Sequence, residues 1–513
     1  MAFVAYFLAR ADVLVYFSIF IALFIYWING IKKSTAKMPP GPMPLPAIGN
    51  LNLLDLEKPH ESLMQLSEKY GEIFTLHFGP KKMVILAGYK IIKEALVTRA
   101  DDFGERAIAP IFEMASKGHG IIFSNGETWK SMRRFSLSTL RDFGMGKKSV
   151  EARIQDELMP LIESFRSHNG KPFNTHMLIN SAVSNVICSI IFGKRFEYDD
   201  PTFEKLIKIL DENAKLAGTP TVLLYNYYPV LGTLLGLHKK AMQNIQELKS
   251  FISQCSMNRR LEFDANDITG YIDAYLLKQE QVTCDLVAGS KSETESTKDQ
   301  TYFNEENLVS SVLDLFIAGT ETSSTTIRWG ILLMMKYPEI QKRVQEEIKT
   351  HIKPGQLPTV EDRRKMPYTD AVIHEIQRFG NIVPLNLSHS TPSDVYLRGF
   401  LIPKGTEVIP FLTSVLYDKT QWKTPNDFNP NHFLDENGKF VRHDAFMPFS
   451  VGRRACAGEG LAKMELFLFF TGLLQAFTFY PPPGVSREDL SLKPAIGFTL
   501  VPTPYMTCAK SNY

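Results

Sequence analysis

The sequence predicts a mainly α-helical fold with a small β-rich subdomain, an α+β arrangement preceded by a transmembrane helix. Apolar residues recur at helical spacing from Trp129 to about Asn381, the pattern of helices that turn one face to a core. Two β-like runs between Ile73 and Ala87 flank Gly79-Pro80-Lys81-Lys82, which reads as a hairpin. The stretch from Val13 to Ile28 is uncharged and continues through Ile31 before Lys32 and Lys33, close to the ~20 residues that span hydrocarbon.

Residues 1–33 form the predicted anchor. Arg10 and Asp12 precede the apolar run, while Lys32, Lys33 and Lys37 follow it, so the positive excess puts the body on the cytoplasmic side. A cleavable signal peptide is the other reading, but the segment lacks a basic start and a clear small-x-small cleavage site. Residues 34–50 contain Met38-Pro39-Pro40-Gly41-Pro42-Met43-Pro44-Leu45-Pro46, whose prolines fix extended backbone and make a stiff spacer. Residues 51–513 are the body. Within it, Leu223 to Leu237 is apolar and aromatic for a loop, and either dips into a membrane surface or packs into the core. Gly289 to Lys298 is too poor in apolar residues to pack and reads as a surface loop.

The chain has 513 residues, 44% of them hydrophobic, enough for a large core, and a net charge of +2 that argues against a nucleic-acid partner. It carries no zinc-like Cys/His cluster, Walker loop or dinucleotide fingerprint. The five cysteines, Cys188, Cys255, Cys284, Cys456 and Cys508, are odd in number and scattered, as expected of reduced cytosolic thiols.

Cys456 lies in Phe449-Ser450-Val451-Gly452-Arg453-Arg454-Ala455-Cys456-Ala457-Gly458, or F-x-x-G-x-R-x-C-x-G. A thiolate held under a haem needs such a loop. Gly452 and Gly458 leave room for close backbone approach, Arg454 supplies a bidentate cation for a haem carboxylate, and Phe449 screens the sulfur. A thiolate ligand pushes electron density onto iron and favours O–O cleavage. A buried free cysteine in an Arg/Gly loop is the alternative.

On these residues the chain resembles the cytochrome P-450 superfamily, and motifs far from Cys456 carry the resemblance further. Leu313-Asp314-Leu315-Phe316-Ile317-Ala318-Gly319-Thr320-Glu321-Thr322-Ser323 opens an apolar run that continues through Trp329 to Met335 and looks like the helix over the haem's distal face. Ala318 and Gly319 are small enough for oxygen to fit beside the backbone, and the resemblance gives Thr322 and Glu321 the role of delivering protons. Glu375 and Arg378 share a face of the helix expected from about Tyr368 to Phe379. The resemblance places both in a buried charge network with His432, where the wider superfamily more often has Arg. Trp129-Lys130-Ser131-Met132-Arg133 reads W-x-x-x-R, and in the family both ends face a haem propionate. Arg106 and His389 resemble the remaining propionate contacts, or are ordinary surface residues.

The resemblance covers essentially the whole chain, from the proline-rich hinge to the Ala495–Leu500 segment, and implies one mostly helical unit with haem b (iron protoporphyrin IX) bound through Cys456. It implies a monooxygenase of the microsomal drug- and fatty-acid-metabolising kind in the endoplasmic reticulum membrane. Dioxygen is its co-substrate, NADPH electrons arrive through cytochrome P-450 reductase, and cytochrome b5 is a second donor. Lys130, Arg134, Lys147, Lys148 and Arg442 would form the reductase docking face, or are ordinary solvated cations. Phe112, Phe316, Ala318, Val383, Leu385 and Phe498 would line a lipophilic substrate pocket, with Asp314 or Asn386 holding a polar group. A dedicated hormone or lipid hydroxylase, a haem-thiolate isomerase and a non-catalytic haem sensor remain as alternatives.

Overall fold

The computed structural model describes residues 37–144, 148–287 and 301–512. The predicted anchor at 1–33, the polar stretch at 289–298 and Lys147 lie outside the described residues. Among those described, no helix is long and apolar enough to cross a membrane.

The helices are α1 Pro59–Tyr70, α2 Tyr89–Lys93, α3 Pro110–Ser116, α4 Gly126–Asp142, α5 Lys148–Arg166, α6 His176–Ile191, α7 Pro201–Ala217 and α8 Pro220–Tyr227. They continue with α9 Pro229–Leu234, α10 Lys239–Leu261, α11 Tyr271–Val287, α12 Glu305–Lys336, α13 Pro338–His351, α14 Pro367–Gly380, α15 Thr413–Leu416 and α16 Glu459–Ala476. The distal helix expected from Leu313 to Met335 is α12, and local chemistry sets both of its ends. The Asn304 side chain accepts from the Asn307 amide, Glu305 and Glu306 fill the first turn, and Lys336 closes the last before Tyr337-Pro338, which satisfies orphan amides and complements the helix dipole.

The hairpin pairs β1 Ile73–Phe78 with β2 Lys81–Ala87. With β3 Glu105–Arg106, β4 His389–Ser390 and β7 Glu407–Phe411 it forms a five-stranded sheet in the order β1-β2-β7-β4-β3. Between β4 and β7 lies a small ribbon, β5 Val395–Leu397 and β6 Phe400–Ile402. The register sets Arg106 opposite His389, so two residues 283 positions apart in sequence meet at a sheet edge.

The main core fills the helical part and draws on α5, α6, α12 and α16. Two smaller cores lie against the sheet, and a fourth joins only Ile111, Val222, Tyr225 and Ala241 with their neighbours. From Lys37 the proline-rich segment is bound to the body: Thr75 donates from its amide to Pro40 O and from Oγ1 to Pro39 O, and the Asn50 amide donates to His77 O. The stretch from Leu223 to Leu237, expected as a loop, is instead mostly α8 and α9. Pro220 and Pro229 begin them, and proline is well suited to a first helical turn.

Candidate active site

The loop before α16 is wound tightly. Ser450 and Gly452 have positive φ, the Cys456 amide donates to Phe449 O at 2.9 Å, and the Ala455 amide donates to Gly452 O at 3.1 Å. A Cβ on Gly452 would lie 1.9 Å from Leu96 O, so this glycine clears protein backbone, not the porphyrin face expected for it. The Cys456 side chain remains accessible, yet burial raises its thiol pKa while hydrogen bonds from the Gly458 and Glu459 amides and the charge of Arg133 oppose the rise. Donors at the start of α16 are what a thiolate needs.

Beside the sulfur stands a cluster of cations. Arg133 donates to Ala455 O, the Arg454 guanidinium lies 3.8 Å from the Trp129 ring, and Arg106 Nη1 donates to Leu387 O. Burial and then Arg133 push Arg106 down to about 9. Burial, Arg106 and Arg133 push Arg454 down to about 8, and burial with Arg106 lowers His389 to about 3. Like charges this close need an anion. Trp129 Nε1, Arg106 Nε and His389 Nε2 are buried and without a hydrogen-bond partner, which is unusual in a native interior. The donor set thus fits a group bearing carboxylates beside Cys456. Neither Arg106 nor His389 is a surface residue, since both are buried. Arg454 spends Nε, Nη1 and Nη2 on Gly104 O, Ser124 O and Asn125 Oδ1, so it braces the loop more than its sequence position suggests. Sequence reading missed Asn125, whose side chain also bonds both Arg106 N and Arg106 O. Its place just before a helix that begins at Gly126 was the available signal.

On α12, Thr322 Oγ1 donates to Ala318 O at 2.8 Å. Glu321 is buried and accepts from Thr325 and Thr499; burial raises its pKa against the pull of Arg328 and His176. Gly319 makes room for Ile187, because a Cβ there would come within 2.5 Å of Ile187 Cδ1. Its small size therefore serves packing between α12 and α6, where the sequence suggested space for oxygen.

The family model described as Cytochrome P450 matches residues 39–509. This chain is a cytochrome P450. It is 50% identical over 481 residues to cytochrome P450 2K1 of Oncorhynchus mykiss, covering 94% of this chain and 93% of that one. Against cytochrome P450 2J2 of Homo sapiens it is 47% identical over 479 residues, with 93% and 92% covered. Against cytochrome P450 2C3 of Oryctolagus cuniculus it is 46% identical over 473 residues, with 92% and 94% covered. As a P450 it is a monooxygenase that uses haem and dioxygen.

In this P450 the Glu375 and Arg378 side chains have no exposed surface and pair through two 2.7 Å bonds. Arg378 also donates to Leu416 O, Pro425 O and Asp427 O, while the Asn429 amide and His432 Nδ1 approach the Glu375 carboxylate. A buried ion pair is tolerated when its remaining donors and acceptors are satisfied. The network ties α14 to the segment leading into the cysteine loop.

The expected pocket residues separate into groups. Phe112 stacks on Phe123 at 4.3 Å and meets Phe498 edge-on at 6.2 Å. Ala318 and Val383 are half-buried, and Leu385 packs against the core that holds Phe74 and Phe411. Phe316 is fully buried in the main core, so it is corrected from pocket to packing. The half-buried residues of that turn are Asp314, Leu315, Ile317 and Ala318. Asp314 accepts from the Ile121 and Ile122 amides, and burial pushes it up to about 6.

Proposed function

We propose that this P450 is a membrane-anchored enzyme of the endoplasmic reticulum that hydroxylates or epoxidises lipophilic molecules, xenobiotics and fatty acids foremost. Its electrons come from NADPH through cytochrome P-450 reductase, with cytochrome b5 as a second donor. The observation that carries the reading is the convergence beside Cys456 of three guanidiniums and two unpartnered buried donors, Trp129 Nε1 and Arg106 Nε, with the unpartnered His389 Nε2 beside them. Cys456 would hold the iron of haem b, with Trp129, Arg133, Arg106 and His389 on its carboxylates and Arg454 bracing the loop. Bound there, haem supplies the activation of dioxygen. The chain's own residues then orient substrate and manage protons: Thr322 presents a hydroxyl on the distal helix, and Glu321 holds a proton more readily than a solvated carboxyl does.

The apolar ring cluster of Phe112, Phe123 and Phe498 suits a lipophilic substrate. Val230 and Leu234 on α9 are 76% and 80% exposed, with Leu231 and Leu235 beside them. Tyr228, between α8 and α9, bonds Ala47 O, joining this apolar patch to the exposed Met43, Leu45 and Ile48. Such a surface favours lipid. For the reductase, a cavity of about 450 Å³ along α4 is lined by Lys130, Arg133, Arg134, Arg141 and Arg453. Cations dominate its rim, as steering of an acidic partner requires.

The test is product analysis of the full chain reconstituted with reductase and NADPH, offered medium-chain fatty acids, steroids and planar aromatic drugs side by side. Oxygenated products from several classes are expected. Turnover of one class alone would point to a dedicated hydroxylase, and turnover without NADPH would sink the reading in favour of an isomerase.

A further inference from the structure

Residues 497–499 form the turn of a hairpin near the C-terminus. The strands Pro494–Ile496 and Leu500–Pro502 pair antiparallel with Ile496 opposite Leu500, so Gly497, Phe498 and Thr499 are the whole of the connection. Three hydrogen bonds hold its backbone. The Phe498 amide donates to Ala214 O on α7 at 2.7 Å, the Leu500 amide donates to Ile382 O at 2.8 Å, and Leu500 O accepts from Trp329 Nε1 on α12 at 2.9 Å. A Cβ on Gly497 would lie 3.0 Å from Ala214 O, so glycine lets the turn sit this close to α7.

The two side chains of the turn go to different places. Phe498 is half-buried and meets the Phe112 ring edge-on, whereas Thr499 is buried and its Oγ1 donates to Glu321 Oε1 at 3.2 Å. Thr325 Oγ1, one turn along α12, donates to the same oxygen at the same distance, and no hydrogen bond among the described residues reaches Oε2. An oxygen that accepts twice is the carbonyl oxygen of the neutral acid, so the proton sits on Oε2. Hydrogen-bond donors also stabilise the carboxylate that remains once the proton has gone. Thr499 therefore draws the acid towards release, against its burial, and Arg328 on α12 and His176 on α6 act in the same sense by charge. Hydroxyl donors usually stand about 2.7–2.8 Å from their acceptors, so both bonds have room to shorten.

We infer that Thr499 is a positioning residue for Glu321, and that the turn makes its hold depend on the space beside Phe498: an occupant packed against that ring holds the turn against α12 and tightens the Thr499 bond. With the space empty the acid keeps its proton more firmly, and with the space filled it yields the proton more readily. Release is thereby tied to the presence of a ligand through two adjacent residues. That Glu321 hands protons on rests on the function proposed above; the hold of Thr499 on its carboxyl does not.

The carboxyl stretch of Glu321 in the full-length holoprotein, identified by its loss in Glu321→Gln, reads the bond without turnover. Thr499→Val, which keeps the shape and removes the donor, should shift the band to higher wavenumber and carry its titration to higher pH, while Thr499→Ser should restore both. Adding 4-phenylimidazole, whose phenyl ring brings bulk to the apolar cluster, should shift the parent band to lower wavenumber. Imidazole should leave it in place, as should 4-phenylimidazole added to Thr499→Val. Product formed per NADPH should fall several-fold in Thr499→Val, the scale of one buried hydrogen bond, and recover in Thr499→Ser. A band at the parent position in Thr499→Val, or a parent band that answers equally to both imidazoles, would overturn the inference. If Thr499→Val does not fold, Phe498→Ala decides, because its ligand-free band should match the parent's and no longer answer to 4-phenylimidazole. Where the band shifts as predicted and product per NADPH does not change, the hold of Thr499 stands and the proposed role of Glu321 falls; where nothing is oxygenated at all, the proposed function falls with it.

Discussion

His432 donates through Nδ1 to the Glu375 carboxylate, 3.2 Å away, because its other ring nitrogen accepts the Thr424 amide. An acceptor nitrogen cannot carry the ring proton, so the backbone of residue 424 fixes the tautomer. Imidazole thus completes a network that Arg378 dominates. Removing one partner of a buried pair leaves the other charge stranded, at about 3–5 kcal/mol. Arg378→Ala is expected to give no holoprotein, judged by the absence of a Soret band. Loss of one buried hydrogen bond costs about 1–3 kcal/mol, so His432→Ala should fold and bind haem with a lower Tm. Equal Tm values for His432→Ala and the parent would rule out the third contact.

Glu465 sits on α16, wholly buried, with a single bond from Ser323 Oγ at 2.6 Å and Oε1 unpartnered. Burial pushes its pKa up to about 8. The unfolded carboxyl titrates near ~4.3, so between these values the folded chain holds a proton that the unfolded chain has released. The associated stability is fully present below the unfolded pKa and is lost as pH rises through about 8. Glu465→Gln removes this dependence. Its stability relative to the parent, from denaturant melts, should climb between pH 5 and pH 8 by about 1 kcal/mol per pH unit. A constant difference across that range would show that Glu465 titrates normally.

Thr322 bonds back to Ala318 O, a local bond that a serine or threonine hydroxyl readily exchanges for another partner. Thr322→Ala should therefore leave α12 intact and ligand affinity within a few-fold, while product formed per NADPH consumed falls several-fold. Parallel peroxide assays locate the missing electrons. Unchanged coupling would remove Thr322 from proton handling.

Much of this was legible in the sequence because each motif combined a period with a chemical demand. The apolar run ending at Met335, the hairpin around Gly79-Pro80, and Glu375 with Arg378 appear where spacing placed them. What failed were contacts made across the fold. Phe316 and Ile317 are neighbours in one apolar run, and only the packing of α6 against α12 decides which faces inward. Gly319 and Gly452 were read as clearance for a ligand, yet Ile187 and Leu96 occupy that space. Asn125 and Asn226 act on Arg454 and Ile111, far from them in sequence, and no local pattern marks such a partner. The helices α8 and α9 were hidden by Pro, Gly and Tyr, residues with weak helix propensity.

The membrane reading of α9 can be checked independently of turnover. Leu234 is 80% exposed beside Val230, whereas Leu261, at the far end of α10, is 88% exposed with only Met257 as a comparably exposed neighbour on that helix. Twenty-two residues separate Leu261 from Lys239 at the α9 end, roughly 33 Å of helix. An interfacial helix buries its apolar face about 5–10 Å into the acyl boundary, so indole placed there should be reached by lipid chains. With the full chain in bilayers of bromine-labelled phosphatidylcholine, Leu234→Trp should add a strongly quenched fluorescence component. Leu261→Trp should add an unquenched one. Equal quenching of both would mean that exposure alone, and not contact with lipid, governs the signal, and the apolar surface of α9 would then need a protein partner to explain it.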